Sequence, residues 1–192
     1  MLTSKKIVIF ASGSGSNAEN LAKYFEHRDD VSVAYILSNN KDAYVLERAH
    51  KLHIPSRVFT RNEFYSSHEI VDLLKELSID LIVLAGFLWL VPSQLVAAYP
   101  KRIVNIHPAL LPKFGGKGMY GQRVHQAVVD NHEMESGITI HYVNEHYDDG
   151  DIIYQARCSV LPSDTADDVA KKVHQLEYAH FPQVIDMVLK QI

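Results

Sequence analysis

Short runs of β-branched and aliphatic residues alternate along this chain with stretches whose apolar positions recur every three and four residues. The runs near Lys6–Ala11, Val31–Leu37, Arg57–Phe59, Asp80–Ala85 and Arg102–Ile106 predict strands. The intervening stretches Asn17–Phe25, Ala43–Leu52, Asn62–Leu77 and Pro92–Tyr99 carry helical spacing. Such alternation predicts a parallel sheet covered by helices, with ligands received at the C-terminal ends of the strands. After Pro112 the pattern changes to a Gly-rich loop from Phe114 to Gly121, a helix near Val124–Asp130 and strands near Ile138–Val143 and Ile152–Cys158. Thr165 to Ile192 reads as one long helix, opened by a capping signal at Thr165 with Asp167 and Asp168, and with Pro182 as a point where it can kink. The expectation is a single α/β domain over residues 1–192. Its Rossmann-like sheet is parallel in the core and mixed toward the C-terminal half, flanked by helices and finished by the long one.

Composition narrows the function classes. The 192 residues are 47% hydrophobic and 22% charged, enough for one real core. A net charge of -4 gives no basic footprint for nucleic acid. The longest apolar run, Leu81 to Val91, has 11 residues, against roughly 20 for a membrane-spanning helix. Cys158 is the single cysteine and reads as a core residue, so no disulfide forms within the chain. The N-terminal Met1 to Lys6 has no apolar signal core and runs straight into the first strand, which makes the cytoplasm the expected location.

Three segments carry candidate chemistry. Asn105-Ile106-His107-Pro108 closes the fifth predicted strand. Side chains two apart on a strand share a face, so the Asn105 amide and the His107 imidazole converge on one point. A donor for a developing oxyanion beside a group that moves protons near neutral pH is what acyl transfer needs. Ser12-Gly13-Ser14-Gly15-Ser16-Asn17 follows the first strand and opens the first helix, where glycine lets backbone amides approach an anion. With Ala18 it also fits a dinucleotide fingerprint, but the second strand ends Ser38-Asn39-Asn40 without the acid that grips a ribose, which favours a phosphomonoester. The acidic loop Asn144 to Asp151 lies between the last two strands. A carboxylate from it placed beside His107 is expected to raise the imidazole pKa and keep the ring protonated.

In this order, Ser12 to Asn17, Leu84-Ala85-Gly86-Phe87, Asn105 to Pro112 and Asp148-Asp149-Gly150 resemble the motifs of the phosphoribosylglycinamide formyltransferase family, from about Lys6 to about Val188. The resemblance implies transfer of a formyl group from 10-formyltetrahydrofolate to the glycine amine of glycinamide ribonucleotide, in purine synthesis. Asn105, His107 and Asp148 match the catalytic residues. Gly15, Ser16 and Asn17 match the phosphate site, Pro108 the glycinamide site and Glu177 the ribose site. Leu88, Trp89, Leu90 and Val91 would line the folate, whose pterin is enclosed by the loop Asn144, Glu145, His146, Tyr147 and Asp148.

The implied cosubstrate is 10-formyltetrahydrofolate, with no metal, and the implied partners are small molecules rather than nucleic acid or membrane, in a monomer or homodimer. The resemblance also implies a cis bond between Leu111 and Pro112. An arginine that meets the folate glutamate tail in the family aligns near Ser67, which leaves Arg61 and His68 as candidates for that charge. The loop Lys113 to Arg123 departs from the family form and is expected to be a mobile lid, and His125 aligns ambiguously with a family histidine. Two relatives compete. Methionyl-tRNA formyltransferase adds a C-terminal barrel and a basic surface. Formyltetrahydrofolate deformylase shares the Asn, His and Asp, uses water as acceptor and carries an N-terminal regulatory domain, which a first strand at Lys6 argues against.

Overall fold

The computed structural model describes residues 4–192; Met1 to Thr3 of the N-terminal segment read above lie outside them. Strands β1 (Lys5–Phe10), β2 (Val31–Ser38), β3 (Ser56–Val58), β4 (Leu81–Leu84), β5 (Ile103–His107), β6 (Glu135–Tyr142) and β7 (Ile152–Ser159) form one sheet. Its order is β3-β2-β1-β4-β5-β6-β7. Pairings from β3 through β5 are parallel, and β5-β6 and β6-β7 are antiparallel. The helices are α1 (Ser16–Phe25), α2 (Val45–Lys51), α3 (Arg61–Tyr65), α4 (Glu69–Glu76), α5 (Ser93–Ala98), α6 (Gln122–Asp130) and α7 (Ala166–Leu189). The expected single-domain α/β sheet, mixed toward the C-terminal half, is the observed one.

A central strand buried on both faces reads as a continuous apolar run, and β1 does. Ile7 and Ile9 enter one core with α1, α2 and α7, whereas Val8 and Phe10 enter a second core with Phe64 of α3, Leu74 of α4 and Leu95 of α5. Both cores lie under the strand ends that carry the candidate residues, so the loops rest on a rigid base.

The sequence reading differs from the structure in three places. The expected helix Asn62–Leu77 is two helices, α3 and α4, broken at Ser66 to His68. There the Ser67 hydroxyl donates to the Glu63 carbonyl at 3.1 Å and accepts from the Glu69 N–H at 3.3 Å, competing with the helical ladder. The strand expected at Ile138–Val143 begins earlier, at Glu135, because its antiparallel pairing with β7 continues to Ser159. Cys158 is half-buried against the edge of the core rather than inside it. The long C-terminal helix stands as expected, with a reciprocal capping box between Thr165 and Asp168, and it continues through Pro182. No helix among the described residues is long and apolar enough to cross a membrane.

Candidate active site

Strand β5 delivers Asn105 and His107 to its C-terminal end, on the face where β6 presents His141 and Thr139 as register partners. The buried Thr139 hydroxyl donates to the Ala109 carbonyl at 2.7 Å and accepts from the Leu111 N–H at 2.9 Å. It thereby pins the turn that follows His107. The Leu111–Pro112 bond in that turn is cis, as the resemblance implied.

Asp148 gathers the site. Its Oδ2 accepts the Gly116 N–H at 2.9 Å and lies 3.5 Å from His107 Nδ1. Its Oδ1 accepts from the Asn105 amide at 3.4 Å and lies 3.7 Å from His141 Nε2. The other hydrogen of that amide points to His141 Nε2 at 3.1 Å, while His141 Nδ1 lies 2.8 Å from the Tyr142 carbonyl. A carbonyl only accepts, so His141 donates from Nδ1, and its Nε2 lies between the Asn105 amide and Asp148 Oδ1. His107 is oriented by the same logic. Its Nε2 lies 2.7 Å from the Phe114 carbonyl and must donate, which leaves Nδ1 turned toward Asp148 and the cavity. Phe114 and Asp148, the two residues that fix this ring, are non-glycine residues with φ of 55° and 53°. Backbone strain of that kind is held only where the surroundings dictate it, commonly at functional sites.

The electrostatics correct one expectation. Burial pushes the His107 imidazole below its ordinary range, and the Asp148 charge and the Phe114 carbonyl oppose this without overcoming it. Asp148 therefore does not hold the ring protonated by itself; desolvation of a side chain that is 4% exposed outweighs one carboxylate at 3.5 Å. For Asp148, burial acts upward, but the imidazoles of His141 and His107 and the Gly116 N–H outweigh it, and its carboxyl stays below the usual carboxylate range.

Asn105, His107, Pro108 and Asp148 line a cavity of about 580 Å³ whose other walls include Gly13 to Asn17, Lys117 to Gly121, Arg123, His125, His174 and Glu177. The β1–α1 turn enters it through Gly15 at φ 73°, where a Cβ would come within 2.8 Å of the Val45 backbone. The Ser12 hydroxyl accepts the Leu88 N–H at 3.0 Å and ties this turn to the β4 end of the sheet. Glu177 on α7 is buried, not the exposed helix charge its position alone suggests, and accepts from the Asn17 amide at 3.1 Å. Burial raises its carboxyl above the ordinary range against the smaller opposing pulls of His174 and Asn17.

The residues matched to folate divide. Leu88, Tyr147 and Asp148 line the cavity, whereas Trp89, Leu90, Val91, Asn144, Glu145 and His146 do not. Val91 belongs to the second core, and Trp89 packs against Phe59, Phe64, Phe87 and Tyr65. The Leu90 carbonyl accepts the Tyr65 hydroxyl at 2.9 Å, and the Arg61 guanidinium lies 4.9 Å above the Tyr65 ring and 5.6 Å above Trp89. Arg61 therefore stands on this aromatic wall, while His68 occupies the N-cap position of α4 without a side-chain capping bond. The reading from sequence missed His141, whose signal was the alternation Ile138, Thr139, Ile140, His141 that puts it on the face of Asn105. It also missed His174, Lys117 and Arg123, which no local pattern marks.

Comparison with known proteins agrees with this fold. A model of the formyl transferase family matches residues 5–185. A curated relative, the chloroplastic phosphoribosylglycinamide formyltransferase of Arabidopsis thaliana, is 41% identical across 97% of this chain and 66% of its own length. This chain spans 62% of a second plant relative, from Vigna unguiculata, so it covers just under two thirds of these plant proteins. The phosphoribosylglycinamide formyltransferase of Bacillus subtilis is 36% identical across 96% of this chain and 95% of its own length. Among solved structures, that of the phosphoribosylglycinamide formyltransferase from Streptococcus pneumoniae superposes with a TM-score of 0.85 at 38% identity, covering 96% of this chain and 99% of that one. On the fold, the strand-end Asn and His and these matches together, this chain belongs to the phosphoribosylglycinamide formyltransferase family.

Proposed function

We propose that this protein transfers the formyl group of 10-formyltetrahydrofolate to the glycine amine of glycinamide ribonucleotide, giving formylglycinamide ribonucleotide and tetrahydrofolate. The observation that carries the reading is the convergence of Asn105, His107 and Asp148 in one cavity with the Gly15 to Asn17 turn and Glu177. The neutral amine attacks the formyl carbon, forming a C–N bond and moving an electron pair onto the formyl oxygen. That oxyanion takes a hydrogen bond from the Asn105 amide, in exchange for its long 3.4 Å bond to Asp148, and from His107 Nδ1–H once the ring is protonated, and the developing charge itself draws the proton that burial resists. The C–N10 bond then breaks, and N10 leaves with a proton that originates on the attacking amine. Asp148 is positioned to stabilise the imidazolium and to order a relaying water.

The phosphate is assigned to the backbone amides of Gly15, Ser16 and Asn17, where the α1 N-terminus favours an anion. Glu177, held toward its neutral form, is assigned to the ribose hydroxyls, and Pro108 to the glycinamide. The folate is assigned to the cleft between Leu88 to Val91 and the loop Asn144 to Asp148, with Arg61 as the candidate for its tail. The partners are small molecules and the setting is the cytoplasm. The test is to follow tetrahydrofolate release from 10-formyltetrahydrofolate with and without glycinamide ribonucleotide. Release that depends on the ribonucleotide supports transfer, and release at an equal rate without it would mark a hydrolase.

A further inference from the structure

A phosphate monoester near neutral pH carries close to two negative charges, whereas a helix N-terminus offers the equivalent of about half a positive one. The turn Gly13 to Asn17 brings no free cation of its own. Arg48, the basic side chain that touches it, is already committed: its Nε donates to the Ser14 carbonyl at 2.8 Å and its guanidinium pairs with Glu19. Charge balance at this wall has to come from across the cavity.

The Gly-rich segment before α6 and the first turn of α6 present Lys117 and Arg123 to the same cavity. Neither has a carboxylate partner among the described residues, although cations close by do: Lys113 pairs with Glu133 at 2.8 Å and Arg157 pairs with Glu135. The Arg123 guanidinium is held 5.1 Å above the Tyr120 ring, so part of its freedom is already spent before any anion arrives. Two residues that line the cavity carry buried polar atoms without partners, as a site for a polar molecule would: Asn17 Oδ1 on the cradle side and His125 Nδ1 one turn into α6. Their residues are 9% and 2% exposed. His125 is not the missing cation, because burial, reinforced by His174 and His107, pushes its imidazole down to about 4.

We propose that Lys117 and Arg123 are the residues that read the phosphate of the ribonucleotide, completing from the Gly-rich segment a site whose other half is the β1–α1 turn. This rests on the assignment of a ribonucleotide to the cavity. Binding through these two charges weakens as salt rises, because both are exposed and screened.

The test compares glycinamide ribonucleotide with its dephosphorylated ribonucleoside as acceptors, in the parent and in Lys117→Met, Arg123→Met and the double variant, with circular dichroism as the check on folding. Methionine keeps the aliphatic stem and removes the charge. The parent should prefer the ribonucleotide in kcat/KM, each substitution should cut that preference by about tenfold, and the loss should sit in the ribonucleotide KM. A preference that survives in the double variant would overturn the proposal while leaving the substrate assignment intact. Equal losses for both acceptors would also overturn it, because they would show that the segment acts on shape rather than on charge. A parent that does not prefer the phosphorylated acceptor would sink the ribonucleotide reading and this proposal together.

Discussion

One cavity buries two carboxylates and treats them oppositely. At the β5 end, the Asp148 side chain is 12% exposed, faces two imidazoles and a backbone N–H, and is held below the usual carboxylate range. Where α1 meets α7, the Glu177 side chain is 8% exposed, faces one amide at 3.1 Å and an imidazole at 4.0 Å, and is pushed above that range. Glu177 is the more deeply desolvated and has the fewer partners, so burial and partners together decide the difference. A carboxylate held low beside a histidine can answer charge that develops during a reaction, whereas one raised by burial and facing an amide suits the recognition of polar groups such as sugar hydroxyls. On the proposed function the cavity separates into a region for chemistry and a region for recognition.

The largest effects should come from the chemical region. His107→Ala or Asn105→Ala removes a proposed oxyanion donor, and turnover should fall roughly 100-fold or more in protein that remains folded. Near-parental turnover from either folded variant would show that the oxyanion lies elsewhere.

Asp148→Asn keeps the shape and removes the charge, and turnover should fall by more than roughly tenfold. The sign for His107 follows from the balance of causes. Burial already favours the neutral ring, and Asp148 is the main group pulling the other way, so the variant should lower the His107 pKa further. Titration of His107 by NMR in both proteins reads this directly. An unchanged value in the variant would reduce Asp148 to a water-positioning role.

In the recognition region the losses should be smaller and should fall on binding. Glu177→Ala should raise the ribonucleotide KM about tenfold with kcat little changed. Glu177→Gln should raise it only a few-fold, because Gln keeps the shape and the capacity to hydrogen-bond hydroxyls and burial already opposes the charge that is removed. If Gln proved as damaging as Ala, Glu177 would be acting as an anion. The smallest effect is a shift: Asn17→Ala removes a hydrogen bond that favours the ionised carboxyl, so the pKa of Glu177, followed by carboxyl-carbon NMR, should rise further.

The two regions also differ in how openly the sequence displayed them. Periodicity revealed β1 through β5 and the long α7, because each is a local pattern of apolar positions. The pairing of Asn105 with His107 was equally open, since it needs only strand alternation. The glycine turn showed its place by lying between a strand and a helix. What stayed hidden depends on contacts between distant segments. His141 reaches Asn105 only through the β5–β6 register, and Glu177 is buried only because α7 packs against α1. The direction of the His107 shift was misjudged for the same reason: a carboxylate nearby can be inferred from a motif, but the depth of burial that outweighs it is set by the whole fold. The break in the α3–α4 segment was visible as Ser66-Ser67, two turn-forming residues inside an otherwise helical pattern.

The central claim is that formyl passes from folate to an amine in the cavity that holds Asn105, His107 and Asp148. It is tested most directly by giving the protein 10-formyltetrahydrofolate labelled with carbon-13 in the formyl group, together with glycinamide ribonucleotide, and following the label by NMR. The account predicts that the label moves quantitatively into the formamide of formylglycinamide ribonucleotide, at a rate that collapses in His107→Ala. Label appearing as formate at the same rate with or without the ribonucleotide would contradict it.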